Sequence, residues 1–191
     1  MYPYWLILTV YCSWDVLGLV WLFGLLRRKR VVQRQDAASH FRQRSLTILS
    51  YILLFWHSWR YSPLARHLLP LSRAGVRLGA VLTVAGCLFA IWARVLLGGN
   101  WSMNVTIKQD HTLMTRGPYA IVRHPIYTGL LLAALGTALF QDAPLNFLGV
   151  ALLFYAFWNK LHDEENFMRQ QFGAQYAQYS QRVRALIPGM L

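Results

Sequence analysis

Long apolar runs alternate with short polar stretches along this chain. Five of the runs approach the length of about twenty residues that crosses the hydrocarbon core of a bilayer. They cover residues 5–26, 46–64, 76–97, 126–140 and 145–161. The fourth run is short and allows a polar half-helix that begins near Tyr119, and the fifth follows Pro144, a residue typical of the first turn of a helix. The pattern predicts an all-α integral membrane protein with about five transmembrane helices.

The stretch after the fifth run is polar, but apolar and aromatic side chains recur in it at steps of three and four residues. They are Phe167, Met168, Phe172, Tyr176 and Tyr179. This spacing predicts a C-terminal amphipathic helix, broken near Gly173, that lies along the cytoplasmic membrane interface or packs over the polar segment around residues 94–129.

Composition agrees with a lipid environment. The 191 residues are 56% hydrophobic and 14% charged, whereas about a quarter of the residues in a soluble domain are charged. The first run carries Asp15 in its middle and its positive charges follow it, which is typical of a retained membrane helix and not of a cleaved signal peptide. Cys12 and Cys87 fall inside apolar runs, so we expect no disulfide. The whole chain, residues 1–191, is predicted to be a single membrane domain.

The net charge of +12 is distributed as membrane topology requires. Seven Lys and Arg residues lie within residues 27–44, and four more lie at or beyond the end of the fifth run. The loop between the second and third runs holds three arginines, and the turn at residues 141–144 holds none. Because positive charge marks cytoplasmic loops, this predicts an outside N-terminus and a cytoplasmic C-terminus. The basic first loop sets topology and contacts anionic lipid headgroups, so we expect the bilayer and not nucleic acid as a partner.

The segment of residues 94–129 is too polar and too punctuated for an ordinary connector. Gly98 and Gly99 either end a helix or let the backbone approach a ligand closely. Irregular backbone near a membrane is tolerated where it is buried in protein or lines a cavity. Arg94, three residues before the end of the third run, either extends to the headgroups or faces the bundle interior and binds an anionic group. A binding site is therefore predicted here.

His124 has three possible roles, namely general base, metal ligand or hydrogen-bonding group. His111 and its neighbour Asp110 are too far away in the sequence to form a recognisable metal pattern with it. We therefore expect no metal, and a hydrogen bond to a polar ligand or to backbone is favoured.

A second polar segment covers residues 159–184. Lys160 and Glu164 are four residues apart and allow a surface ion pair worth a few tenths of a kcal/mol, although Lys before Glu is the weaker order. Glu164 and Glu165 point about 100° apart on a helix, so they cannot easily share one substrate atom. The pattern favours one of these carboxylates binding a ligand hydroxyl or ammonium group.

Two motifs in these segments resemble the isoprenylcysteine carboxyl methyltransferase family. The first is Arg-Gly-Pro-Tyr-x3-Arg-His-Pro-Ile-Tyr-Thr-Gly at residues 116–129, and the second is Glu-Glu-x6-Phe-Gly-x2-Tyr-x2-Tyr at residues 164–179. Leu-Gly-x2-Trp-Ser at residues 97–102 and His-Thr-Leu-Met at residues 111–114 also look like that family. The resemblance covers about residues 90–188 and is specific, because two separated motifs occur in order around one hairpin.

The resemblance implies an integral membrane enzyme that uses S-adenosylmethionine to methylate a lipid-borne or hydrophobic substrate, such as an isoprenylcysteine carboxylate. It implies a catalytic core at residues 76–191, after two N-terminal helices and a basic loop at residues 1–75. Glu164 would hold the polar end of the cofactor, Lys160 stands where related enzymes have a basic residue facing the substrate carboxylate, and Arg94 lies near a second such position. The residues that would line the cofactor pocket by position are His111, Leu113, Met114, Tyr119, His124, Pro125, Ile126 and Tyr127. The loop of residues 103–109 does not align cleanly and receives no contact.

Two other functions remain open at this point. Sterol reductases carry a similar Arg-x-Pro-x-Tyr stretch and a Tyr-rich tail and use a nicotinamide cofactor, but the paired glutamates and the short chain favour the methyltransferase. A non-enzymatic membrane scaffold would not need two dense polar segments. The methyl acceptor also stays open between a prenylcysteine, a phospholipid amine, a thiol and another lipid.

Overall fold

The computed structural model describes residues 3–25, 31–34, 37–56, 73–98, 106–108 and 113–189. Within these ranges the chain is mainly helical, with one short antiparallel strand pair. The elements in chain order are α1 (Tyr4–Leu25), β1 (Val31–Arg34), α2 (Ala37–Leu54), α3 (Arg73–Leu97), β2 (Thr106–Lys108), a 3₁₀ turn (Gly117–Ala120), α4 (Pro125–Gln141), α5 (Pro144–Phe172) and α6 (Ala174–Arg182).

Helices α1 and α3 are long and apolar enough to cross a membrane, over Tyr4–Gly24 and Arg73–Leu97. Helix α4 is apolar too, but it is shorter. Large apolar side chains such as Trp5, Leu22 and Val81 are exposed on these helices, which is what lipid-facing surfaces require. The predicted helical architecture is thus confirmed, two of the described helices are candidate membrane spans, and the number of five is not confirmed.

Helices α3 and α4 pack backbone against backbone. A Cβ placed on Gly86 would lie 2.4 Å from the backbone nitrogen of Ala133, and one on Gly136 would lie 2.4 Å from that of Thr83. In a lipid environment, where van der Waals packing drives helix association, small residues allow this close approach. The packing fixes the position of α4, at whose N-terminal end the first motif lies.

Buried polar side chains tie the other helices to this pair. The indole of Trp14 on α1 donates a hydrogen bond of 3.0 Å to the hydroxyl of Thr137 on α4. The amide of Gln43 on α2 donates one of 2.7 Å to Asp163 on α5. The first bond fixes α1 against α4, and the second fixes α2 beside the start of the second motif.

Three local features go beyond the sequence prediction. The half-helix near Tyr119 is a 3₁₀ turn, after which α4 begins at Pro125. The fifth apolar run and the start of the amphipathic stretch form one continuous helix, α5, and the predicted break occurs at Gly173, whose φ is +47°. Strand β1 of the basic loop pairs with β2 of the loop after α3.

Candidate active site

The turn before α4 is held by the C-terminal end of the described chain. Pro125 begins α4 at a position where no backbone N–H is needed. The preceding N–H groups of Arg123 and His124 donate hydrogen bonds of 2.7 and 3.0 Å to the carbonyls of Arg184 and Ala185. These two bonds fix the backbone of residues 123–124.

The second motif reaches the first through the imidazole of His124. Its Nδ1 lies 3.4 Å from Oε2 of Glu164, and its Nε2 lies 3.4 Å from Oε1 of Glu165. The adjacent glutamates diverge, as helix geometry requires, and they reach opposite edges of one ring. Each carboxylate consequently has its own surroundings.

Glu165 belongs to a buried ion-pair network. Its Oε1 accepts hydrogen bonds of 2.9 and 2.6 Å from the guanidinium of Arg123, and its Oε2 accepts one of 2.9 Å from Arg169. Arg123 also donates to the carbonyls of Ser180 and Val183. Burial raises the pKa of Glu165, but hydrogen bonds from His124 and Arg123 outweigh it and lower the pKa to about 2. This carboxylate joins α4, α5 and the C-terminal segment.

Glu164 has a more open position. Its side chain is 22% exposed, whereas that of Glu165 is 6% exposed. Its Oε1 accepts a hydrogen bond of 2.5 Å from the hydroxyl of Tyr127. Burial raises the pKa of Glu164, but the hydrogen bond from His124 and the charge of Lys160 outweigh it, so the net pKa is lowered. Glu164 is an ionised carboxylate with a reachable side.

The two carboxylates also act on His124. Burial lowers the pKa of its imidazole, and hydrogen bonding to Glu164 and Glu165 raises it by more, so the net pKa lies above its usual value. This shift favours the charged imidazolium relative to a free histidine, and each ring nitrogen faces a carboxylate oxygen. The hydrogen-bonding role expected for His124 fits this geometry.

Tyr127 forms the aromatic wall of the site. Its ring stacks on the imidazole of His124 with a centroid distance of 5.6 Å and on the ring of Phe157 at 4.6 Å. Nζ of Lys160 lies 5.6 Å from the centre of the Tyr127 ring, within the range of a cation–π interaction. Lys160 and Glu164 thus face the same aromatic residue.

Arg94 faces the protein interior. It is 4% exposed, and its Nη1 donates a hydrogen bond of 3.1 Å to the carbonyl of Gly98. The neighbouring Ala93 carbonyl accepts a hydrogen bond of 3.4 Å from the hydroxyl of Tyr119. Burial raises the pKa of Tyr119; the charge of Glu164 adds to this rise and that of Arg94 opposes it. Tyr119 therefore lies within the fields of both charged groups. Of the two orientations that the sequence left open for Arg94, the structure has the interior one.

Three of the other residues predicted to line the cofactor pocket are buried or pack against the hydrophobic core. Pro125 is fully buried, and Ile126 lies in the hydrophobic core with Tyr119 and Tyr127. Met114 packs against that core and Leu113 is half-buried. His111 lies outside the residues that the structure describes.

Arg123 was not predicted as a site residue, nor was Glu165. Both stand inside the motifs, directly beside His124 and Glu164. The sequence does contain a signal for this ion pair. One motif has a basic residue and the other has an acidic residue, and each is adjacent to a predicted site residue.

Comparison with known proteins finds one family that is similar to the segment containing this site. The sequence profile of the isoprenylcysteine carboxyl methyltransferase family matches residues 79–170. A probable protein-S-isoprenylcysteine O-methyltransferase from Oryza sativa subsp. indica is 34% identical over 58% of this chain and 59% of its own length. The protein-S-isoprenylcysteine O-methyltransferase of Dictyostelium discoideum is 25% identical over 94% of this chain and 74% of its own. The chain therefore spans less than two thirds of the rice protein.

A solved structure shares the architecture. The structure of the eukaryotic intramembrane Ras methyltransferase (isoprenylcysteine carboxyl methyltransferase) matches this chain with a TM-score of 0.59 and 24% sequence identity. The match covers 81% of this chain and 54% of the chain in that structure. That likeness shows the fold. Together with the profile match, which includes the whole first motif and both glutamates, it makes this chain similar in sequence and in fold to the isoprenylcysteine carboxyl methyltransferase family.

Proposed function

We propose that this protein is a membrane methyltransferase that uses S-adenosylmethionine to methylate the carboxylate of an isoprenylcysteine-like lipid. The observation that carries the proposal is the Glu164 carboxylate, which is ionised and partly open and is held between the Tyr127 hydroxyl and the His124 ring. The relatives' names, which specify O-methylation of isoprenylcysteine, support it.

The residues around Glu164 fit a cofactor that carries an ammonium and a sulfonium group. A carboxylate with a free side binds an ammonium ion, and the neighbouring aromatic rings of Tyr127 and Tyr119 suit a cation and a planar base. We assign Glu164 to the polar end of the cofactor, with Leu113, Met114 and His124 along the pocket and His111 as a further lining residue. When bound, the cofactor supplies an electrophilic methyl group.

Lys160 and Arg94 are assigned to the acceptor. A carboxylate acceptor is already ionised, so it needs no general base but needs cations that orient it and surroundings that strip its water. Lys160 lies beside Tyr127, and Arg94 is buried near Tyr119, so both place positive charge next to the proposed cofactor pocket. Two cations would repel a protonated lipid amine, which favours a carboxylate over an amine acceptor.

The proposed topology has the N-terminus outside and the site at the cytoplasmic face. A hydrophobic substrate then enters from the bilayer while the soluble cofactor arrives from the cytoplasm. Reporter fusions at each terminus test this: a phosphatase active only outside the cytoplasm is expected to work at the N-terminus and to fail at the C-terminus. The opposite result excludes this orientation.

The main experiment measures methyl transfer by the protein purified in detergent, with an S-prenylcysteine acid as acceptor. Thermal stabilisation by S-adenosylhomocysteine is measured in parallel with that by NADPH, and a ligand at 100 times its dissociation constant adds about 2.7 kcal/mol. We expect transfer, and stabilisation by S-adenosylhomocysteine alone. Stabilisation by NADPH alone would indicate a reductase, and no shift with either ligand would indicate a scaffold.

A charge-removing variant tests the acceptor assignment. Lys160→Met is expected to lose most transfer activity while it retains stabilisation by S-adenosylhomocysteine. Arg182→Met removes an exposed positive charge from α6 and serves as the matched control with normal activity. Near-normal transfer in Lys160→Met would remove Lys160 from the site.

A further inference from the structure

Gly24, in the last turn of α1, faces the guanidinium of Arg94. A Cβ placed on Gly24 would lie 2.0 Å from Nη2, 2.7 Å from Cζ and 3.2 Å from Nε of Arg94. The three atoms nearest to that Cβ all belong to the tip of this one side chain. The absence of a side chain at Gly24 is thus what lets the guanidinium lie against α1.

This contact differs from the other close approaches between helices. At Gly86 and Gly136 the two nearest atoms are backbone atoms, so a methyl group there would push two helices apart. At Gly24 the obstacle is the end of a flexible chain, which rotates away at little cost. A side chain at Gly24 would therefore move the charge of Arg94 and leave the helices in place.

The position of that charge matters to its surroundings. The hydrogen bond from Nη1 to the Gly98 carbonyl holds one edge of the guanidinium at the end of α3, and α1 limits the other edge. The same charge acts on Tyr119, which also lies within the field of Glu164. Displacing the guanidinium by the width of a methyl group therefore changes the position of its positive charge relative to Tyr119 and Glu164.

We propose that Gly24 is a positioning residue for acceptor binding, which holds the Arg94 guanidinium in the place where it meets the acceptor's carboxylate. This inference rests on the proposed function, in which Arg94 orients that carboxylate. Helix α1 lies outside residues 79–170, which match the family profile. Under this proposal α1 nevertheless contributes a site-shaping residue, as well as serving as a membrane anchor.

The test compares Gly24→Ala with Gly18→Ala. Gly18 lies six residues earlier on the same helix, and a Cβ there meets nothing within 4 Å, so it controls for the added methyl group. The binding of an S-prenylcysteine acid and of its neutral methyl ester is measured without cofactor, followed by KM and kcat for transfer. Stabilisation by S-adenosylhomocysteine and the melting temperature are measured on the same samples.

We expect Gly24→Ala to weaken binding of the acid and to raise its KM by about tenfold or more, since small misplacements of binding groups have effects of this size. Ester binding, stabilisation by S-adenosylhomocysteine and melting temperature should match those of Gly18→Ala. Acid binding equal to that of Gly18→Ala overturns the proposal. A joint fall of all four quantities also overturns it, because it indicates a role in helix packing.

A double-mutant cycle gives the second readout. Methionine carries no charge and ends before the positions of Cζ and Nη2 that the new methyl group would meet, so Gly24→Ala should add little loss of acid affinity in an Arg94→Met background. Equal losses in the two backgrounds would contradict the inference. Wild-type protein that binds the acid but transfers no methyl group would refute the proposed function alone, since the binding comparison still tests Gly24.

Discussion

The hydroxyl of Tyr127 on α4 donates a hydrogen bond to Oε1 of Glu164 on α5, and this bond joins the two family motifs. The tyrosine ring also stacks on Phe157, about two turns earlier on α5 than Glu164. The ring is thereby fixed by packing, and the hydroxyl is fixed by the carboxylate that it orients. These two contributions can be separated by removing the hydroxyl alone.

Tyr127→Phe keeps the ring and removes the donor. A hydrogen bond to a charged group contributes about 1.5–3 kcal/mol, so we expect the affinity for S-adenosylhomocysteine to fall by about tenfold or more. Isothermal calorimetry in detergent measures it. Tyr155→Phe, at an exposed tyrosine of the same helix α5, is the control and should bind normally. Unchanged affinity in Tyr127→Phe would mean that the Glu164 carboxylate is oriented without this bond.

Glu164→Gln should separate cofactor binding from folding. The substitution is nearly isosteric and removes the negative charge that we assign to the ammonium group. We expect stabilisation by S-adenosylhomocysteine to be lost, while the melting temperature without ligand changes much less than in Glu165→Gln. Retained stabilisation in Glu164→Gln would assign the ammonium group to another residue.

Glu165→Gln is expected to destabilise the protein in a pH-dependent way. The folded pKa of about 2 lies below the ordinary value of 4.5, so the stabilisation by the ionised carboxylate is complete above pH 4.5 and is lost as the pH falls from 4.5 towards 2. At pH 7 a shift of this size corresponds to about 3 kcal/mol. Melting temperatures of wild type and variant, followed by tryptophan fluorescence, should differ most at pH 7 and converge below pH 4.5. A difference that stays constant down to pH 3 would show that the network is held by packing and not by charge.

Gly86→Ala tests the contact between α3 and α4. The added Cβ would lie 2.4 Å from the backbone of Ala133 and 2.5 Å from that of Gly129, and neither can rotate away. Overpacking of this kind costs about 1–3 kcal/mol, so the melting temperature should fall by several degrees. Gly18→Ala, at a position open on its helix, should melt like wild type. A normal melting temperature in Gly86→Ala would show that the two helices are able to separate slightly.

The apolar runs predict most of the helices because an apolar run of that length has few alternatives to a buried or lipid-facing helix. They do not predict the strand pair, because the two short strands lie outside the apolar runs and are far apart in the sequence. They also place the end of the fifth segment too early. The polar residues from Lys160 onwards are good helix formers, so α5 continues until Gly173.

The site is predicted to the level of its motifs and not to the level of its individual carboxylates. Glu164 and Glu165 have the same chemistry and differ only in direction, and which of them faces Arg123 depends on where α4 stands beside α5. The motif resemblance selects Glu164, and the greater exposure of Glu164 agrees with that choice. Gly24 has no sequence signal at all, since its only distinguishing feature is the side chain that lies opposite.

The hydrogen bonds between residues 123–128 and residues 184–186 have a consequence for biosynthesis. His124 and Thr128 bind the carbonyls of Ala185 and Leu186, which are made about sixty residues later. While residues 184–186 are still to be made, α1 to α5 have already been synthesised, but this turn lacks its final partners. The order of helix synthesis and the order of site completion are therefore different, and the nascent chain completes this turn last.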